Sequence, residues 1–466
     1  MRIGTNVAAI VANNALQKSQ NNLSTSIERL SSGYKINGSK DDAAGCAISE
    51  KMRAQIRGLS QAQNNTADGV SVLNTAEGAI TEIQSMLTRL KELSVQAAND
   101  VNSDDEREAI QKEIEQINNE IDRISDQTEF NTQSLINGNL SRRVYSDLQG
   151  VNQLSVSDSY TAGVYGITVT EDARQAIAVG AGSITMSSTA SITEEQAGAI
   201  NINGYKISIS EGDTLDKVMG KIIDGVNITG GSAFTVKDLN NDTAANGTDY
   251  AGYVPTADYA GSTLVIMTNQ YGSDQKMNIT CDNAELADIL GIPQAATQDG
   301  IYVEGSDVKA EIATGDDGKR IGFADSAILS TKGTVITVTD VNNKEFSMDV
   351  PGNAAGTVFD DSNNDGQSAA GAGTARTISQ EVTDVGTMSI HVGANQDQVI
   401  VIDIPAITTY SLGTEHMNVM TQYTASRAIS TVDEAINKTN KIRSRIGAYE
   451  NRFDHTTNNL EVSSEN

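Results

Sequence analysis

The sequence predicts an α+β multidomain protein: an elongated antiparallel helical rod made from both chain ends, with a strand-rich insert of outer domains between them. Three observations carry that expectation. All four prolines, Pro255, Pro293, Pro351 and Pro405, fall between residues 255 and 405, so both ends are free of the strongest helix breaker. The ends also carry apolar residues at alternating three- and four-residue spacing, the narrow seam that packs helix against helix. Between them, residues 141–380 are rich in Gly, Ser, Thr, Asn and Asp around short β-branched runs, the texture of strands and turns.

Along the chain, Leu16, Leu23, Ile27 and Leu30 fit a seven-residue repeat on a first helix. The polar run Lys35 to Asp42 follows. It lacks the spacing of a phosphate-binding loop, and Asp41 and Asp42 are too few carboxylates for a cation cage, so it reads as a capped connector. Leu73, Ala76, Ile80, Ile83, Leu87 and Leu90 then repeat 3-4-3-4-3. Ser103 followed by Glu106 has the form of a capping box, and Asp104 and Asp105 suit a helix N-terminus. Ile110, Ile114, Ile117, Ile121 and Ile124 repeat 4-3-4-3, so two helices fold back on each other here. In the insert, "STLVIMT" and "GTVITVTDV" read as strands, and "INGYKISISEGDTLDKVMGKI" as a hairpin followed by a helix capped by Asp213 or Thr214. Residues 389–404 read as two strands round a turn. A last helix then carries Ile429, Val432, Ile436, Ile442, Ile446, Tyr449, Phe453 and Leu460. A helix of ~40 residues would run about 60 Å. The division expected is 1–38 for the first helix, 39–140 for the N-terminal part of the rod, 141–380 for an insert of two subdomains, and 381–466 for the hairpin and final helix of the rod.

With 466 residues the chain should form more than one domain. Its net charge is -28, and residues 141–380, with 14 basic and 31 acidic side chains, carry -17 of it. That excludes nucleic acid and an anionic membrane surface as partners, because both need clustered Lys and Arg. No apolar run approaches the ~18 residues of a membrane span. The apolar run Val7 to Ala12 is short and bracketed by Asn6 and Asn13, unlike a secretory signal. Cys46 and Cys281 fall in segments assigned to different domains, which is weak ground for a disulfide. His391, His416 and His455 have no metal-ligand spacing, and no catalytic constellation stands out, so neither a catalytic nor a cofactor-binding residue is assigned. Asp361, Asn363, Asp365 and Gly366 match the first half of a calcium loop, but Ala372 stands where its bidentate acid belongs; a solvated turn is the simpler reading.

Several runs resemble the bacterial flagellins. At the N-terminal end these are Leu30-Ser31-Ser32-Gly33, Ile36-Asn37, Asp41-Asp42-Ala43-Ala44-Gly45, Ala47 to Arg53, "QIRGLSQAQNNTADGVSVLNTAEGAITEIQSMLTRLKELSVQAAN" and "EIDRISDQTEFN". "RSRIGAYENRFDHTTNNLEVSSEN" resembles the family's C-terminal sequence, and "INGYKISISEGDTL" a repeat of flagellin outer domains. Gly38-Ser39-Lys40 and Cys46 depart from the usual pattern, which has an Arg-containing spacer and a Leu. The resemblance implies a secreted, extracellular subunit of the flagellar filament, self-assembling through its terminal helices. Its implied partners are other flagellin subunits, filament cap and hook-associated proteins, the flagellar export machinery and a vertebrate Toll-like receptor. For the receptor, the family's contact run is matched by Leu87, Arg89, Glu92, Leu93 and Gln96, with Glu113 on the next helix. The family normally continues past "NNLEVSSEN" with another helix, so the chain is expected to lack the family's C-terminal helix. Two rivals are a hook–filament junction protein, which shares the terminal helices, and an enzyme borne by the insert, whose zinc motif is absent here.

Overall fold

The computed structural model describes residues 7–157, 160–180, 182–236, 259, 261–292, 300–315, 318–340, 344–352, 359–360, 369–370, 375–383 and 385–466. The calcium-loop match at 361–366 with Ala372 therefore lies outside the described residues, as do Pro255 and Pro293. Seven helices are described: α1 (Val7–Ser32), α2 (Ala43–Ala97), α3 (Asp104–Gln127), α4 (Leu215–Ile228), α5 (Ala284–Ile289), α6 (Thr409–Leu412) and α7 (Gln422–Glu465). The chain forms two compact units. The first comprises Met1–Ser71, Ser389–Ile400 and Glu450–Asn466, and the second Val72–Met388 and Val401–Tyr449.

In the first unit, α1 ends where Gly33 takes the left-handed conformation (φ 75°) that closes a helix at least cost in glycine. The connector is tied by its own side chains. Asp41 accepts from the Asn37 N–H at 3.1 Å, and Asp42 accepts from the N–H groups of Ala44 and Gly45 at 3.0 Å each, satisfying orphan donors of α2. Its carboxylates are thus engaged as a capped connector requires. Further along, α2 packs on the end of α7 and on the turn of the 388–402 hairpin. Phe453 is fully buried against Gly69, where an added Cβ would stand 3.1 Å from the ring. Gly58 makes the same close approach to Ala394, and Asn65 donates to the His391 carbonyl at 3.0 Å.

In the second unit the remainder of α2, α3 and the first part of α7 share a core. The seam along α2 runs Ala62, Thr66 and Gly69 in the first unit and Leu73, Ala76, Ile80, Ile83, Leu87, Leu90, Ser94 and Ala97 in the second, spaced by alternating fours and threes, with Val72 and Leu93 also buried beside it. That period of 3.5 is the one that keeps a seam facing a partner helix. Thr66 and Ser94 tolerate burial because each hydroxyl donates to the carbonyl four residues back, at 2.7 Å. On α3 the buried stripe is Arg107, Ile110, Ile114, Asn118, Ile121 and Ser125, whereas Ile117 and Ile124 are half-buried. This corrects the all-isoleucine seam: Asn118 and Ser125 turn inward because they donate to the carbonyls of Thr414 (2.8 Å) and Ile136 (3.2 Å). On α7 the seam is Ala425, Ala428, Val432, Ala435 and Thr439, with Ile429 and Ile436 half-buried beside it. Small side chains hold the inner positions, and the isoleucines cover its flank. Lys91 pairs with Asp433 at 2.6 Å, and Arg443 with Glu77 at 3.3 Å, across the α2–α7 contact.

The rest of the second unit is antiparallel sheet around two larger cores. In one, strand Gly198–Ile202 lies between Tyr205–Ile209 and Lys276–Cys281, with Ile301–Glu304 beyond. Its hairpin turns through Asn203 (φ 50°) and Gly204 (φ 89°), the left-handed pair that a two-residue turn needs. A three-stranded sheet places Thr263–Thr268 between Ile177–Val179 and Gly231–Val236. α4 packs Val218, Met219 and Ile222 into this core; its N-cap is Thr214, while Asp213 binds Ser210 and Lys221 instead. The other core lies within two four-stranded sheets, one centred on Gly163–Glu171 and Arg376–Val382 and one on Val335–Thr339 and Glu345–Asp349. Ring edges meet there: Phe323 lies 5.1 Å from Tyr165 and 5.6 Å from Phe346.

Candidate functional site

α2 and α3 bring the candidate receptor residues to one place, but not all to the surface. Leu87 and Leu93 are 0% and 1% exposed, because both point into the helical core. In this structure neither side chain reaches the surface. Arg89, two positions beyond Leu87, is half exposed. Its Nε and Nη2 donate to Glu113 Oε1 at 3.0 and 2.8 Å, and its Nη1 donates to Glu92 Oε2 at 3.1 Å. Hydrogen bonding to Glu113, then to Glu92, holds the guanidinium above its ordinary range. Gln96 is exposed one turn on from Glu92. Arg89, Glu92, Gln96 and Glu113 thus form a polar surface whose central cation is fixed in orientation by two carboxylates. The capping box at Ser103 sets the start of α3 and hence the height of Glu113: Ser103 Oγ accepts from the Glu106 N–H at 3.3 Å, and Glu106 accepts from the Ser103 N–H at 2.8 Å.

A second candidate surface is apolar. No described residue of α1 is buried, and Val7, Val11, Leu16, Leu23, Ile27 and Leu30 are each more than half exposed. The first turns of α2 add Ile48, Met52 and Ile56, also exposed and four residues apart on one helix face. Sequence reading found the stripe on α1 and missed the one on α2, although the 48-52-56 spacing was a usable signal. Patches of this kind on a water-exposed helix mark association surfaces. Among the described residues no group of three or more His, Cys, Asp or Glu is placed to hold a metal, and no helix is long and apolar enough to cross a membrane.

Comparison with known proteins places these surfaces in a family. Residues 3–141 match the bacterial flagellin N-terminal helical region, and residues 429–466 match the bacterial flagellin C-terminal helical region. The second match lies on α7 and corrects the expectation that the family's C-terminal helix is lacking: a C-terminal helical region is present. A flagellin of Salmonella typhimurium is 30% identical over 98% of this chain and 88% of its own length. One of Clostridium tyrobutyricum is 39% identical over 45% of this chain and 63% of its own. A flagellar cap protein of Escherichia coli aligns over 66% of this chain and 64% of its own at 12% identity, with a TM-score of 0.29. The chain belongs to the bacterial flagellin family and is a non-enzymatic structural subunit of the extracellular flagellar filament.

Proposed function

We propose that copies of this chain polymerise with one another through the exposed apolar faces of α1 and of the first turns of α2. One observation supports this reading above the others: a 26-residue helix without a single buried residue, carrying a row of large aliphatic side chains. Such a helix gains little from its own chain and is stabilised when a neighbouring subunit covers the row. Filament cap and hook-associated proteins are proposed to meet the same faces, and export through the flagellum's own channel to take the place of a secretory signal. Replacing Leu16, Leu23 and Ile27 together by Asp tests the assembly surface. The variant should keep the melting temperature of its sheets and yield no filaments by electron microscopy; filaments of normal length would reject the proposal.

For the receptor we propose that Arg89, Glu92, Gln96 and Glu113 make the contact, within a functional division at 1–38, 39–140, 141–380 and 381–466. Arg is one of the residue types that commonly anchor such interfaces, and here two acids hold it in place. Arg89→Ala should weaken binding to the receptor ectodomain by about tenfold with helicity unchanged. Equal affinity of the two proteins in a surface binding assay would remove Arg89 from the site.

A further inference from the structure

One cavity of the second unit shares no lining residue with either surface above. It has a volume of about 380 Å³ and sits between α7, the strands Asn152–Val156 and Glu345–Asp349, and the segment 405–412. Its wall is apolar at Leu154, Leu412 and Ile442 and cationic at Lys438, Lys441 and Arg445, with Glu345 the one carboxylate among them. Three cations to one acid is the reverse of a chain that carries -28 overall.

The cations differ in their partners. Lys441 pairs with Glu345 at 2.9 Å, and Arg445 pairs with the buried Asp403 at 3.4 Å. Lys438 is half-buried, and among the described residues no carboxylate lies within 4.0 Å of it; its Nζ donates to the Ser411 carbonyl at 3.1 Å. Burial lowers the Lys438 ammonium from the usual lysine range, against the opposing pull of Glu434 and then Glu345, while Lys332 and Lys441 push the same way as burial. Both acids are already engaged, Glu434 by Lys332 and Glu345 by Lys441. An ammonium withdrawn from water with only a carbonyl for company loses hydration that one neutral acceptor does not replace. An anion in the cavity would restore the balance.

We propose that this cavity binds a small organic carboxylate, its oxygens on the Lys438 ammonium and its hydrocarbon part against Leu154, Leu412 and Ile442. The volume lies within the ~300–1,000 Å³ of ordinary small-molecule sites, and the wall supplies what such sites combine, a large apolar share and a few convergent polar groups. An inorganic oxyanion would satisfy the ammonium and leave the apolar wall uncovered. A cationic ligand would meet the Lys438 ammonium, which no carboxylate within 4.0 Å offsets among the described residues.

The test is titration calorimetry of the full chain with hexanoate and, separately, with inorganic phosphate. Hexanoate should bind at least about tenfold more tightly than phosphate, lose about tenfold or more in Lys438→Gln, and weaken as pH rises and the ammonium deprotonates. Absence of hexanoate binding, equal binding of phosphate, or unchanged affinity in Lys438→Gln would each overturn the proposal. A second measurement needs no variant: acetylation of Lys438 in the wild-type chain, followed by mass spectrometry, should slow severalfold in hexanoate while that of exposed Lys206 does not. Equal rates at Lys438 with and without hexanoate would likewise overturn it.

Discussion

Phe453 shows at the scale of one residue how closely the helices meet. Its ring is fully buried on Gly69, so Phe453→Ala should cost roughly 3–5 kcal/mol, read as a fall in thermal stability. A loss below about 1 kcal/mol would mean that the site collapses or was never close-packed. The two thiols give a second residue-level contrast. Cys281 is buried and burial pushes its pKa up, whereas Cys46 is half-buried at the start of α2. A maleimide reagent should label Cys46 in the native chain and Cys281 only after denaturation; early labelling of Cys281 would contradict its burial. Asp213 gives a pH dependence. The Lys221 ammonium at 2.6 Å and then the Ser210 N–H hold its carboxyl below the ordinary 3.8. A depressed folded value means that the stabilisation is present above about pH 3.8 and is lost as pH falls through the lowered value. Asp213→Asn should therefore lower the melting temperature near neutrality and less in acid, once pH has fallen through the lowered value. An equal deficit at both pH values would show that the charge is irrelevant.

At the scale of an element, α3 depends on both its cap and its stripe. Ser103→Ala removes the oxygen that accepts the Glu106 N–H and should cost about 1 kcal/mol, while Ser103→Gly should cost only a few tenths. Identical losses in chemical denaturation would argue against capping as the cause. The stripe gives an ordering. Ile114→Ala, at a fully buried position, should destabilise by roughly 2–5 kcal/mol, and Ile117→Ala, half-buried on the flank, by clearly less. Equal losses would restore the isoleucine seam read from spacing. The physical difference is that Asn118 and Ser125 find carbonyl partners inside, so the helix rotates enough to bury them and turns Ile117 and Ile124 outward.

For the whole molecule the excess of acid matters most. Subunits of charge -28 repel one another, and the repulsion is screened over ~30 Å at 0.01 M salt but over only ~8 Å at 0.15 M. Polymerisation seeded with filament fragments should accelerate between those two salt concentrations, as followed by light scattering. Slower growth at the higher salt would show that attractive ion pairs between subunits outweigh the net repulsion.

The sequence by itself determined the type and order of the elements. Proline confined to residues 255–405 and the 3-4 alternation from Leu73 to Leu90 announce helices at both ends, and "STLVIMT" a strand, because such patterns are local consequences of backbone geometry. The capping box at Ser103 and the hairpin at Asn203-Gly204 were legible for the same reason. What only the tertiary structure decided is which face each helix buries where the inner residue is small or polar. Thr66, Ser94 and Thr439 enter the seams because each satisfies its hydroxyl on the carbonyl four residues back, and Gly69 because Phe453 needs the room. The seam spacing did set the buried Leu87 apart from the exposed Arg89, but it could not show that Leu93 is buried too, or leave Lys438 without a carboxylate while pairing its neighbours. Those outcomes depend on side chains hundreds of positions away in the chain, which only packing brings within reach.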